Sequence, residues 1–155
     1  MILTPELAEI CGIHAGDGHL RKTKKEFEIS GGVEEKQYYD YRIIPLFMKT
    51  FNIKIKGRFF PTKSTYGFRI SNQIVIKTLH KMGFPYGAKS LTVKVPAEIM
   101  KSRNTTIKRS FIRGLFDTDG CLTFDRKVTN NNVFQKTRNY YPRLLFSSVS
   151  KDLAH

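Results

Sequence analysis

Apolar residues along the chain fall into two alternating rhythms. Thr4 suits a helix N-cap and Pro5 the first helical position; Leu7, Ile10 and Cys11 then recur at helical spacing, predicting a helix that ends near Asp17-Gly18. Phe27 and Ile29 alternate with Glu26, Glu28 and Ser30, while Lys22, Lys24 and Lys25 precede them, which predicts a basic antiparallel hairpin with the lysines at its tip. From Glu34 to about Thr50 the period is helical again, with Pro45 expected to kink or divide the element near Ile44. Ile53 and Ile55 alternate with Lys54, Lys56 and Arg58, and Tyr66, Phe68 and Ile70 alternate with Gly67, Arg69 and Ser71. With Pro61 to Thr65 as the turn, this is a second hairpin, apolar on one face and cationic on the other. Gln73 to Met82 reads as a short helix closed by Gly83 and Pro85.

The order then restarts. Residues 89–104 contain Pro96 and no sustained period, and read as a connector; a second helix runs from Asn104 or Thr105 to Asp119-Gly120. Two strands follow, CLTFDRK and YPRLLFSSVS, around a polar, basic loop. SSVSKD at Ser147 to Asp152 sits where GGVEEK at Gly31 to Lys36 sits in the first copy. The expected fold class is α+β: an αββαββα repeat over residues 1–88, a connector over 89–104 and a partial repeat over 105–155, with antiparallel sheets. The second copy lacks the second hairpin and closing helices, so the chain is expected to be either a fragment or a shortened protein completed by a second chain or by self-association.

Two segments 102 positions apart (119 − 17), ICGIHAGDG and IRGLFDTDG, share an apolar helical stretch with a glycine and a final Asp-Gly. Gly12 and Gly16 are four apart, as are Gly114 and Thr118, giving each helix a stripe of small side chains. Such stripes let two helices approach closely; packed parallel, they would bring Asp17 and Asp119 to one end. A helix C-terminus carries partial negative charge, so two acids there repel each other and the dipole unless a cation joins them. For one copy alone, a plain turn after a helix explains Asp-Gly. Asp117 competes with Asp119, but the first copy has Ala15 at that position, which favours a structural or helix-end residue at Asp117.

Charge narrows the partner. Twenty-seven Lys and Arg against thirteen Asp and Glu give a net +14, a field that attracts polyphosphate and makes binding salt-dependent. An anionic membrane surface would call for a basic amphipathic helix or a lipidation signal, and neither is evident. At 155 residues and 40% apolar content the chain can bury a core. It has no long apolar run and no signal-peptide pattern at Met1, so a soluble, intracellular protein of the cytoplasm or an organelle matrix is expected. Cys11 and Cys121 lack metal-ligand spacing and read as small core residues. His14 and His19 flank Asp17 but need not converge on it, which favours packing or phosphate contact over ligation.

Both nine-residue segments resemble the signature of the LAGLIDADG homing endonucleases, with Gly12 and Gly114 matching its first glycine and the two Asp-Gly pairs its end. The second copy is close; the first departs from it at His14-Ala15-Gly16 but keeps Asp17. The resemblance spans nearly the whole chain, including a connector that runs from Lys89-Ser90 to Val95-Pro96. It implies two halves packed through the motif helices, sheets laid in the DNA major groove, and cleavage of both strands to leave 3′ overhangs. It also implies Mg²⁺ at Asp17 and Asp119 with Gly16 and Thr118 beside them, Ca²⁺ as a non-catalytic substitute, and Mn²⁺ as an alternative. Lys89 is carried over as a basic residue near the catalytic waters. Double-stranded DNA would meet Lys22, Lys24, Lys25, Lys54, Lys56, Arg58 and Arg69 in the first copy, and Lys127, Arg138 and Arg143 in the second. The chemistry expected is in-line phosphodiester hydrolysis assisted by metal. The alternative is a non-cleaving binder on the same scaffold, such as an intron maturase or a DNA-binding regulator; part of an intein is a third reading, with no splicing segments to support it.

Overall fold

The structure is a computed structural model that describes residues 2–126 and 140–154. Helix α1 spans Pro5–Gly16, capped by Thr4, whose hydroxyl accepts from the Leu7 N–H at 3.2 Å. It runs through the middle of the molecule. Leu7 to Ala15 are all buried, Glu9 and His14 included, which explains why this helix has no polar face.

Strands β1 (Gly18–Leu20) and β2 (Phe27–Gly32) form the first hairpin, with Lys22 to Lys25 exposed in the turn between them. The helical stretch that follows is assembled in pieces: a 3-10 turn at Val33–Glu35, α2 at Lys36–Tyr38, a π turn at Tyr39–Ile43 and α3 at Ile44–Phe51. Division therefore falls at Ile44, with Pro45 in the first turn of α3, where its missing N–H costs little. The wide turn is closed by the Ile44 N–H donating to the Tyr39 carbonyl.

Strands β3 (Arg58–Phe60) and β4 (Thr65–Ile70) complete an antiparallel sheet of order β1-β2-β4-β3, and α4 (Gln73–Lys81) follows, capped by Asn72. The strand expected from Ile53 is shorter than its alternation suggested. Residues 53–57 keep alternating half-buried and exposed positions but join no ladder among the described residues. Ile53 and Ile55 pack against the core, so the period of two is satisfied by burial without strand pairing.

The connector holds a short helix, α5 (Ala97–Lys101), before α6 (Thr105–Asp119), whose N-cap Asn104 accepts from the Thr106 N–H at 2.9 Å. Strands β5 (Gly120–Arg126) and β6 (Tyr140–Phe146) pair as a separate two-stranded sheet, and α7 (Lys151–Ala154) ends the described chain. Cys121 is exposed on β5 and is not the core residue expected, whereas Cys11 is fully buried. The difference lies in what covers each hairpin. In the first sheet, Phe27 stacks on Phe47 at 5.4 Å and Phe68 meets Phe47 at 5.2 Å, so α3 closes the inner face. In the second, Leu122 lies opposite Leu144, and both are exposed, Leu144 at 71%.

Two polar ties fasten the helices together. Buried Glu9 on α1 accepts from Arg42 at 2.5 Å and from Arg113 of α6. Tyr38 of α2 donates to Asp117 of α6 at 2.7 Å.

Candidate active site and nucleic-acid interface

Helices α1 and α6 touch backbone to backbone. A Cβ on Gly12 would overlap the carbonyl oxygen of Phe111 and lie 2.7 Å from the Leu115 nitrogen; one on Gly114 would overlap the carbonyl oxygen of Glu9. One on Gly16 would overlap the Thr118 side chain and lie 3.1 Å from a carboxylate oxygen of Asp119. Contacts therefore advance together along both helices, which makes them parallel and places Asp17 and Asp119 at the same end. The small-residue stripes produce this, since any side chain at Gly12 or Gly114 would displace the partner's backbone.

Both acids lie in a poor environment for an anion. Burial, the Asp119 charge and the Glu35 charge push the Asp17 carboxyl up to about 7, against Lys89 and a long 3.4 Å hydrogen bond from the Tyr39 hydroxyl. Burial also raises Asp119, opposed by Lys89. Lys89 donates to the carbonyls of Ala15 at 2.7 Å and Gly16 at 2.5 Å, a cation set at the C-terminus of α1 where the helix dipole favours one. Burial lowers the Lys89 pKa, while Asp119 and Asp17 oppose that shift.

A cavity of about 320 Å³ opens beside these groups, lined by Ala15, Gly16, Lys89, Asp119, Ser147 and Ser148 among others. The donor chemistry suits a hard divalent cation: two oxygen anions made costly by burial and proximity, a cost that a bound 2+ charge reverses. Among the described residues no group of three or more His, Cys, Asp or Glu side chains forms a metal cage. Thr118 folds its hydroxyl back onto the carbonyls of Leu115 (3.0 Å) and Gly114 (3.3 Å), leaving its own carbonyl as what it could offer. Sequence reasoning missed Tyr39 and Glu35 as neighbours of Asp17; they arrive from the segment after β2, and no local motif announces them.

The histidines separate. His14 is fully buried between Phe84 at 4.4 Å and Phe27 at 5.6 Å, a packing position, while His19 is exposed on β1.

The expected cationic residues divide into three groups. Lys54 and Lys56 are exposed on the unpaired segment before β3, and Arg143 is exposed on β6. At the first hairpin tip, Lys24 stands 5.4 Å over the Tyr86 ring, Lys22 lies against Gly87, and Lys25 lines an open cleft with Ser71 and Gln73. Arg58 and Arg69 share the outer face of the first sheet and both lie over the Phe60 ring, at 4.8 and 5.6 Å. Arg69 does not stand alone there: its guanidinium bonds Glu28, as do Arg21 and Lys63, two cations that sequence reasoning passed over. Lys127 and Arg138 lie outside the described residues.

No family model matches the chain. Among curated proteins it is similar to the replication factor C small subunit of Methanocaldococcus jannaschii, 28% identical over 134 residues that cover 81% of this chain and 7% of that protein. The chain thus spans a small part of that relative's length. Among solved structures it is similar to one titled as mesophilic variants of the homing endonuclease I-DmoI, with a TM-score of 0.49 and 19% identity, covering 76% of this chain and 58% of the other. No helix among the described residues is long and apolar enough to cross a membrane.

Proposed function

We propose that the chain is a metal-dependent endonuclease of the LAGLIDADG homing type acting on double-stranded DNA. The observation that carries this reading is the reciprocal glycine contact of α1 and α6, which brings half-buried Asp17 and exposed Asp119 to the same end of the two helices, where Lys89 and Asp119 line a cavity. Asp17 and Asp119 would hold Mg²⁺ or Mn²⁺, with the carbonyls of Gly16 and Thr118 beside them and Ca²⁺ as a substitute that permits binding without efficient cutting. When bound, the cation supplies charge stabilisation for an in-line displacement at phosphorus. Tyr39 orients the Asp17 carboxylate, and Lys89 keeps a positive charge where a phosphate would enter. Scission would leave 3′ overhangs. Residues 1–88 and 105–155 are then two copies of one repeat joined by 89–104, and duplex DNA lies along the cationic sheet face. Self-association, or a second chain, through the exposed Leu122 and Leu144 face belongs to the same reading.

One observation favours the non-cleaving alternative. The Lys89 ammonium sits on the Gly16 carbonyl, an oxygen the metal reading needs. Cleavage of a randomised duplex library in Mg²⁺ and in Mn²⁺ separates the two. Asp17→Asn and Asp119→Asn should each lower cutting by orders of magnitude while retaining duplex binding. Binding by the unaltered chain with no cutting in either metal supports the alternative, and unimpaired cutting by either variant rejects this pair of acids.

A further inference from the structure

The outer face of the first sheet is organised around a single carboxylate. Glu28, the second residue of β2, is 3% exposed. Its oxygens accept from Arg21 at 2.9 Å, Lys63 at 2.5 Å and Arg69 at 2.7 Å. These cations come from three places: the chain just after β1, the turn between β3 and β4, and β4 itself, where Arg69 is the cross-strand partner of Glu28. Arg69 is held a second time, over the Phe60 ring that Arg58 also covers. Four cationic side chains are thus fixed relative to one another by one acid and one aromatic ring.

That arrangement is unlike a merely sticky basic surface. Lysine and arginine free on a strand would spend their rotamer freedom on the first phosphate they met. Here the buried carboxylate removes one unit of positive charge from the face and engages donors of three cations that would otherwise be free for phosphate. An arginine ordered in one plane is suited to a base edge or a fixed phosphate position, because its donors form a rigid fork.

We propose that Glu28 is a positioning residue for nucleic-acid recognition: it holds Arg21, Lys63 and Arg69 in a fixed array that lowers affinity for arbitrary duplex and raises discrimination between duplex sequences. The proposal rests on the reading of this face as the duplex-binding surface. Arg58 belongs to the array through Phe60, and Glu28 acts through its cations without itself touching DNA.

The test selects a preferred duplex from a random library with the full chain, then measures affinity for that duplex and for the random pool across a salt series. Glu28→Gln keeps the shape and removes the charge. Freed cations then engage phosphate, so affinity for the random pool should rise about tenfold at low salt, with a log–log salt slope steeper by about one unit. Discrimination should fall about tenfold in the same variant. Glu28→Asp keeps the charge but is one methylene too short to reach three partners, so it should lose discrimination with little change in slope. It serves as the measurement if Glu28→Gln does not fold. A purely structural Glu28 would lower both affinities together at an unchanged slope, and that result overturns the proposal, as does unchanged discrimination in Glu28→Asp. If the unaltered chain retains no duplex at all, the nucleic-acid reading itself fails and this inference with it.

Discussion

Gly12 and Gly114 hold reciprocal positions across the α1–α6 contact: a Cβ on either would overlap a backbone carbonyl of the opposite helix, Phe111 in one case and Glu9 in the other. Backbone cannot rotate out of the way as a side chain can. Gly12→Ala and Gly114→Ala should therefore each destabilise the fold by about 1–3 kcal/mol, the cost of overpacking a tight contact, despite the better helix propensity of alanine. Thermal unfolding reads the loss. Because the same shift separates Asp17 from Asp119, cutting should suffer more than duplex binding, and a variant with unchanged melting and cutting would show that the helices are free to part.

Lys54, Lys56 and Arg58 differ from Arg69 in having no Glu28 to answer to. Each is exposed, and replacing each by alanine should lower the magnitude of the salt slope of duplex binding by about one unit if it contacts phosphate. If Arg58 reads a base, its loss should instead relax selectivity at one position at roughly 1–3 kcal/mol. Binding unaffected by the triple substitution would make these residues solvent groups only.

Stability should depend on acid through Glu28. Burial pushes its carboxyl up, but hydrogen bonds from Lys63, Arg21 and Arg69 outweigh burial and hold it at about 2, below the usual 4.5. The folded value is the lower one, so this contribution is complete above about pH 4.5 and is lost as pH falls toward 2. His19, opposite Glu28 on β1, is also held below its usual value, by burial and then by the Arg21 charge. Acid unfolding of Glu28→Gln should be flatter than that of the unaltered chain between pH 4.5 and 2; coincident profiles would mean that the cluster carries no linkage.

His14 offers a stabilising change. It is fully buried, both ring nitrogens lack a hydrogen-bond partner among the described residues, and burial, then Lys89 and His19, lowers its pKa well below the usual value. His14→Leu removes polar atoms whose burial costs about 1–3 kcal/mol and should raise the melting temperature by a few degrees without altering duplex binding. A lower melting temperature joined to lost cutting would give the ring a part in the site.

Much of the scaffold was determined by sequence alone. Local rules suffice for it: Thr4, Asn72 and Asn104 cap the helices they precede, and alternation in Phe27–Ile29 and Tyr66–Ile70 marks strands that are paired. The repeat of Gly-containing helix and Asp-Gly also anticipated which helices meet, because a small-residue stripe is a local feature whose only use is a close neighbour. Alternation misled at Ile53 and Ile55, since a period of two reports burial and not pairing, and residue type misled at Cys121, since the sequence of β5 does not say what covers it. The tertiary structure alone decided the electrostatics. Glu28 reads along the chain as one polar residue in an alternating strand, and Lys63 as one turn lysine among many. Only folding brings Arg21, Lys63 and Arg69 from separate segments onto that carboxylate, and only folding brings Tyr39 and Glu35 around Asp17. Charge interactions act through space and fall off with distance, not with position along the chain, so no spacing in the sequence encodes them.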